Sequence, residues 1–144
     1  MPAYVTEGRG LGRQIRPRVL IVDDDPAARR VLAEFVRTVS EDCVIVEAED
    51  GDVALELIRT ERPDLALVDL MLPDSGVSGV LVCQELCRDS GTEVIIVTGM
   101  TSRAVLDTCL DMGARGYLRK PFTVAELRSQ LEACLLPRAL VGCP

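Results

Sequence analysis

Val19-Leu20-Ile21-Val22-Asp23-Asp24-Asp25-Pro26 is the stretch whose reading decides the fold. Four apolar residues in a row, three of them β-branched, suit a strand covered on both faces. Three acids end it. A proline then fits the first turn of a helix, with Asp25 as its cap. The same unit returns along the chain. Apolar runs at 65–69 and 94–98 end in Asp69 and Thr98, another lies at 43–48, and a brief one at 116–118. The run at 43–48 passes into Glu47 and Glu49, which reads as an edge strand. Between the runs lie helical patterns at about 26–40, 52–60, 77–88, 102–112 and 124–135. Gly113 fits a helix stop, and Thr123 with Glu126 forms a capping box.

Five strand–helix units within 144 residues predict an α/β fold, a doubly wound parallel sheet in a three-layer sandwich. Residues 1–17 carry three glycines and scattered arginines without a hydrophobic period, and are expected to form a flexible leader. The folded domain spans 18–136. Residues 137–144 are expected to be a small tail, disordered or loosely packed through Leu140 and Val141, leaving no room for an output module.

Composition narrows the chemistry. Hydrophobic residues make up 48% and no apolar run approaches the roughly 18 residues of a membrane span, so a cytoplasmic protein is expected. A formal charge of −7 and 3% aromatic residues disfavour direct nucleic-acid binding, which needs a basic surface and stacking platforms. There is no histidine, which removes His-based acid–base catalysis, Ser-His-Asp triads and His-ligated zinc. Six cysteines, Cys43, Cys83, Cys87, Cys109, Cys134 and Cys143, form no Cys-x-x-Cys. Cys83 and Cys87 would neighbour each other on a helix. A metal or redox pair is one reading; small buried hydrophobes is the preferred one. Of the 16 bases, Lys120 alone is a lysine.

The unusual polar residues fall in one place. Asp23, Asp24 and Asp25 follow the first strand, Asp69 ends the third, Thr98 ends the fourth, and Lys120 lies just past the fifth. Open α/β sheets bind ligands beyond the carboxyl ends of their strands. Two carboxylates ~5 Å apart repel by roughly 3 kcal/mol at an effective dielectric of 20. Gathered acids therefore call for a counter-charge, and hard oxygen ligands suit Mg²⁺. An ammonium and a hydroxyl beside them would complete a phosphoryl site, with Asp69 as the carboxylate nucleophile. Each residue alone has a plainer explanation as a cap, a turn residue or a solvated charge. It is their joint placement that argues for a site.

Four blocks carry a family resemblance: 19–26, 64–73 (Asp-Leu-Ala-Leu-Val-Asp-Leu-Met-Leu-Pro), 96–99 (Ile-Val-Thr-Gly) and 113–122 (Gly-Ala-Arg-Gly-Tyr-Leu-Arg-Lys-Pro-Phe). In order and spacing they resemble the receiver domain of two-component response regulators, the CheY-like superfamily. The resemblance implies a flavodoxin-like (βα)5 sandwich with strand order 2-1-3-4-5. It implies Asp69 as phosphoacceptor, served by a phosphohistidine on a sensor histidine kinase or phosphotransfer protein. Asp24 would bind Mg²⁺ directly, Asp23 largely through water, and the Met71 backbone carbonyl would add a ligand beside Asp69. Thr98 and Lys120 would hold phosphoryl oxygens, Tyr117 would be the switch aromatic, and the Lys120–Pro121 bond would be cis.

Such a protein is a switch rather than an enzyme, catalysing only its own phosphorylation and dephosphorylation. It would signal to an unknown downstream protein through the 102–136 face, a homodimer being one form that contact could take. Arg103, Asp107, Asp111, Arg115, Arg119 and Arg128 give that face mixed charge. One departure stands out. The family places a glycine eight residues after the acceptor, whereas Gly76 and Gly79 lie seven and ten after Asp69, so the loop reads about two residues longer. Met71 and Met100 flank the site at positions that tune phosphate lifetime in the family, and their bulk leads us to expect slow self-dephosphorylation. Asp23-Asp24-Asp25 also resembles the Asp-x-Asp of haloacid-dehalogenase phosphatases, but only Glu126 and Glu132, both on a helix, follow Lys120 to serve as that family's further acid pair. A degenerate receiver that only binds partners is the third alternative, disfavoured because all five site residues are present.

Overall fold

Strand β1 (Arg18–Val22) lies inside a five-stranded sheet whose neighbours all run parallel to it. A computed structural model describes residues 3–5, 13–73, 76–88 and 91–135. The other sheet strands are β2 (Val44–Ala48), β3 (Leu65–Val68), β4 (Glu93–Thr98) and β5 (Gly116–Arg119). The helices between and after them are α1 (Pro26–Val39), α2 (Gly51–Glu61), α3 (Gly79–Cys87), α4 (Arg103–Met112) and α5 (Val124–Leu135). The order across the sheet is β2-β1-β3-β4-β5, the flavodoxin-like 2-1-3-4-5 arrangement. The expected edge strand is β2, with residues 44–46 only half buried and Glu47 exposed.

The layering follows from the alternation of side chains along each strand. Val19 and Ile21 of β1, Leu65 and Leu67 of β3, and Ile95 and Val97 of β4 meet Leu32 and Val36 of α1 and Leu127 and Leu131 of α5. The intervening residues, Leu20, Val22, Ala66, Val68, Val94 and Ile96, meet α2, α3 and α4 through Ala54, Val82, Leu86 and Leu106. Both faces of the middle strands are dry, which is why their sequence is continuously apolar rather than alternating. Each fully buried Leu or Ile contributes on the order of 1.5–3 kcal/mol.

The caps are as the sequence indicates. Asp25 accepts from the Ala27 N–H at 3.0 Å, and Gly113 stops α4 at φ +123°. Thr123 and Glu126 exchange hydrogen bonds of 2.9–3.1 Å at the start of α5. These bonds favour the ionised Glu126 and hold its pKa below the ordinary Glu value. The Lys120–Pro121 peptide is cis.

Cys83 and Cys109 are fully buried, and the Cys83 and Cys87 sulfurs lie 3.9 Å apart. Burial pushes these three thiols up, and that of Cys134 to about 11. They are protonated core groups, in keeping with the plainer reading of the cysteines. Cys143 lies outside the described residues.

In the segment expected to be a flexible leader, Ala3–Val5 pairs antiparallel with Arg13–Ile15. Runs of three residues are too short for a period of two to show in sequence. The third helix begins at Gly79 rather than Val77, because Ser78 is its cap and accepts from the Leu81 N–H. The tail, including Leu140 and Val141, lies outside the described residues.

Gly79 has no room for a side chain. A Cβ there would overlap the Asp69 carbonyl oxygen and the Leu70 backbone, whereas one on Gly76 would reach only Asp52 Oδ2, at 3.8 Å. Helix α3 thus packs straight onto the backbone that carries Asp69. Gly79→Ala is expected to destabilise the fold by about 1–3 kcal/mol, since neither backbone can yield cheaply. Gly76→Ala should be near neutral. Urea unfolding of the two variants checks the contrast.

Candidate functional site

The sheet delivers its polar residues to one rim. Asp23 and Asp69 each follow the last residue of neighbouring strands β1 and β3, and the Asp69 N–H donates to the Val22 carbonyl at 2.9 Å. Thr98 closes β4. Lys120 follows β5, its N–H donating to the Thr98 carbonyl at 2.8 Å. Every strand except β2 therefore contributes a side chain, and β2 contributes the Ala48 carbonyl that accepts from the Asp23 N–H at 3.2 Å.

These side chains converge on Asp69. One of its carboxylate oxygens, Oδ1, accepts from the Thr98 hydroxyl at 2.8 Å and from the Met71 N–H at 2.9 Å. The other, Oδ2, accepts from the Lys120 ammonium at 3.0 Å. The same ammonium donates to Asp23 Oδ2 at 2.6 Å, while Asp23 Oδ1 accepts from the Asp25 N–H at 2.9 Å. Asp23, Asp69 and Thr98 are buried and Lys120 is partly so. Asp24 is exposed, yet ligand oxygens of Asp23, Asp24 and Asp69 all lie within 4.8 Å of one another.

Three carboxylates at that spacing repel by about 3 kcal/mol per pair at an effective dielectric of 20. Burial pushes the Asp23 carboxyl above the usual carboxylate range. Lys120 and the Asp25 N–H draw it back only in part, and the charge on Asp69 adds to the rise. Burial alone would push the Lys120 ammonium down. Its bonds to Asp23 and Asp69 outweigh that, and its pKa ends above the ordinary lysine value. One ammonium thus serves two buried acids, and a third acid stands open to solvent beside them. The donor set is hard oxygen only, clustered and partly open, which fits a divalent cation of the Mg²⁺ type.

Of the residues singled out from sequence, Asp23, Asp24, Asp69, Thr98 and Lys120 come together on this rim. Met71 sits two residues beyond Asp69 with its side chain half exposed. Tyr117 is partly buried and packs, as Met100 does, against the core face that holds Leu106. Two residues escaped the sequence reading. Gly79 was one of two loop glycines with nothing to choose between them. Arg29 was one arginine among fifteen, yet its guanidinium donates to the Asp23 carbonyl at 2.7 Å and to Glu47 at 2.9 Å. Its place one turn after the Asp25 cap was the available signal.

Comparison with known proteins identifies the family. The response regulator receiver domain family matches residues 19–132. The DNA-binding response regulator MtrA of Mycolicibacterium smegmatis is 39% identical over 121 residues, covering 84% of this chain and 51% of MtrA. The chain spans about half the length of the curated relatives it matches. Among solved structures, the BeF3-activated receiver domain of Klebsiella pneumoniae RstA is similar with a TM-score of 0.71 and 31% identity, covering 83% of this chain and 99% of that one. A CheY-like receiver domain protein from Methanospirillum hungatei has a TM-score of 0.73 and 28% identity, over 83% and 93%.

A carboxyl whose proton affinity rises on folding is a carboxylate that folding penalises. Asp23→Asn keeps an acceptor for Lys120 and removes the buried charge. It is expected to raise the metal-free thermal midpoint at neutral pH by a few degrees, corresponding to about 1 kcal/mol. Thermal unfolding in EDTA checks this. A lowered midpoint would mean that attraction to Lys120 outweighs burial.

Proposed function

The chain belongs to the response regulator receiver domain family, and from that premise we propose that it is a phosphorylation-dependent switch of a two-component system with Asp69 as the acceptor. The observation that supports this most directly is the convergence on one carboxylate. Asp69 receives a hydroxyl, a backbone N–H and an ammonium from three separate strand ends, beside two further acids.

In the proposed reaction an Asp69 carboxylate oxygen attacks the phosphorus of a phosphohistidine. The new O–P bond forms as the P–N bond breaks, and the imidazole leaves with the electron pair and takes a proton from solvent. Lys120 holds one oxygen of the incoming group and the Thr98 hydroxyl another, because both already point at Asp69. Asp23, Asp24, Asp69 and the Met71 carbonyl would hold Mg²⁺. The cation supplies charge neutralisation for the phosphoryl oxygens. Moving Thr98 toward the phosphoryl group withdraws it from Asp69 and frees space for Tyr117, and phosphorylation shifts an existing equilibrium rather than creating a new shape. The chain catalyses only its own modification and its reversal.

A donor has to reach Asp69 from the side that lies open. A groove of about 500 Å³ begins at Asp25 and Lys120 and runs between α1 and the start of α5 along Val31, Phe35, Phe122 and Val124. Its apolar floor suits a helix of a phosphohistidine-bearing protein, seated so that its phosphohistidine lies over the rim. The signal would leave by the 102–136 face, toward a protein partner or a second copy. The charges on that face pair only loosely among themselves, Arg103 with Asp107 at 3.3 Å and Arg128 with Glu132 at 3.7 Å. Exposed pairs of this kind are worth ~0–1 kcal/mol and exchange partners readily. A cytoplasmic location belongs to this proposal. No described helix is long and apolar enough to cross a membrane. DNA binding is a property of relatives such as MtrA, and direct nucleic-acid contact forms no part of our proposal.

Incubation with Mg²⁺ and a small acyl phosphate should add one phosphoryl mass to the intact protein, mapped to the peptide containing Asp69. Asp69→Asn should stay unmodified. A wild-type chain that takes no phosphoryl group, or a variant labelled to the same extent, would defeat the proposal. Val31 is 45% exposed, so Val31→Glu should leave the fold intact. It is expected to slow transfer from a phosphorylated histidine phosphotransfer protein by about tenfold or more, as a charge placed in an apolar contact does, while labelling by the acyl phosphate stays at the wild-type rate.

A further inference from the structure

We propose that Arg29 is a positioning residue for the cation site, clamping the Asp23–Asp24 corner in the shape the metal requires. This rests on the reading of the acid cluster as a Mg²⁺ site. Arg29 lies one turn into α1, and its side chain is only 15% exposed. Nη1 donates to the Asp23 carbonyl at 2.7 Å, and Nε lies 2.9 Å from Glu47 Oε1 on β2.

Asp23 is thereby held at three points. Its N–H is bonded to Ala48, its carboxylate to Lys120 and the Asp25 N–H, and its carbonyl to Arg29. The carbonyl of Asp23 belongs to the peptide plane that leads into Asp24, so the guanidinium fixes the plane from which the exposed carboxylate of Asp24 departs. Among the described residues no hydrogen bond clamps the exposed Asp24 side chain as Lys120 clamps that of Asp23, so the reach of Asp24 toward Asp69 is set by its backbone.

Charge alone does not account for this arrangement. A bare arginine beside a cation site would repel the metal, but Glu47 pairs with Arg29 and leaves the couple neutral. What remains is geometry. The guanidinium presents two donors in a fixed fork, one for a carbonyl on β1's end and one for a carboxylate on β2. A lysine carries its donors on a single nitrogen and lacks that fixed spacing.

The test is calorimetric Mg²⁺ titration of the wild type, Arg29→Ala, Arg29→Lys and Glu47→Gln, with metal-free thermal midpoints measured alongside. Arg29→Ala is expected to raise the Mg²⁺ Kd about tenfold, the scale seen when a partner behind a metal ligand is removed. The rise should persist at about 1 M NaCl, where screening acts within ~3 Å. Arg29→Lys should recover part of the affinity, and Glu47→Gln should weaken it less than Arg29→Ala does. If Arg29→Ala fails to fold, the order wild type, Glu47→Gln, Arg29→Lys in rising Kd carries the test. Unchanged affinity in all variants, tighter binding in Arg29→Ala, or a lowered midpoint with an unchanged Kd would each overturn the positioning role. A wild type that binds no Mg²⁺ would instead overturn the cation-site reading on which it rests.

Discussion

The ammonium of Lys120, held between the carboxylates of Asp23 and Asp69, is the contact on which the rest of the rim depends. Two buried acids side by side are costly, and a single cation within 3.0 Å of both makes their burial tolerable. Lys120 stands 97 residues from Asp23 and 51 from Asp69 in the chain. It can serve both only because β5, β4, β3 and β1 lie in register side by side. The apolar strands are therefore more than a core. They form the rigid ruler that spaces the charges.

The same rim shows how a fold spends stability on a site. Burial keeps Asp23 on the unfavourable side of its ordinary titration even with Lys120 attached. Asp69 is fully engaged by Thr98, Met71 and Lys120, and all three donors aim at the oxygens where a phosphoryl group would arrive. Of the three clustered acids, only Asp24 is exposed. Buried acids held by donors and one exposed acid beside them divide the labour. The first set is pre-organised, and the last is free to take up a cation.

Behind the rim, packing settles details that the charges alone do not. Gly79 lets α3 rest on the Asp69 backbone, so the main chain of the proposed acceptor is braced from below. Arg29 braces the Asp23 corner from the side of α1 and β2. The groove along Val31, Phe35 and Phe122 opens beside Lys120, on the sheet face covered by α1 and α5. Phe122 and Val124 of that groove also belong to the 102–136 face, so the proposed entry and exit meet at the start of α5.

Most of the architecture is legible in the sequence. Continuous apolar runs imply strands buried on both faces, caps mark helix starts through local hydrogen bonds, and acids at strand ends imply a ligand-binding rim. Each of these is a short-range property, written in neighbouring residues. The family's motif blocks then implied the strand order and the roles of Asp23, Asp24, Asp69, Thr98 and Lys120 as expectations. Three things were not legible. The short N-terminal ribbon has too few residues to show a period. The choice of Gly79 over Gly76 depends on which one lies under Asp69. The importance of Arg29 depends on Glu47 of another strand reaching the same guanidinium. For Gly79 and Arg29 the deciding contact comes from another element of the fold, and hydrophobic pattern carries no record of it. Sequence by itself determined which residues are strand, helix and acid; tertiary structure alone decided which of them touch, because contact between remote residues is set by strand order and packing distance rather than by local chemistry.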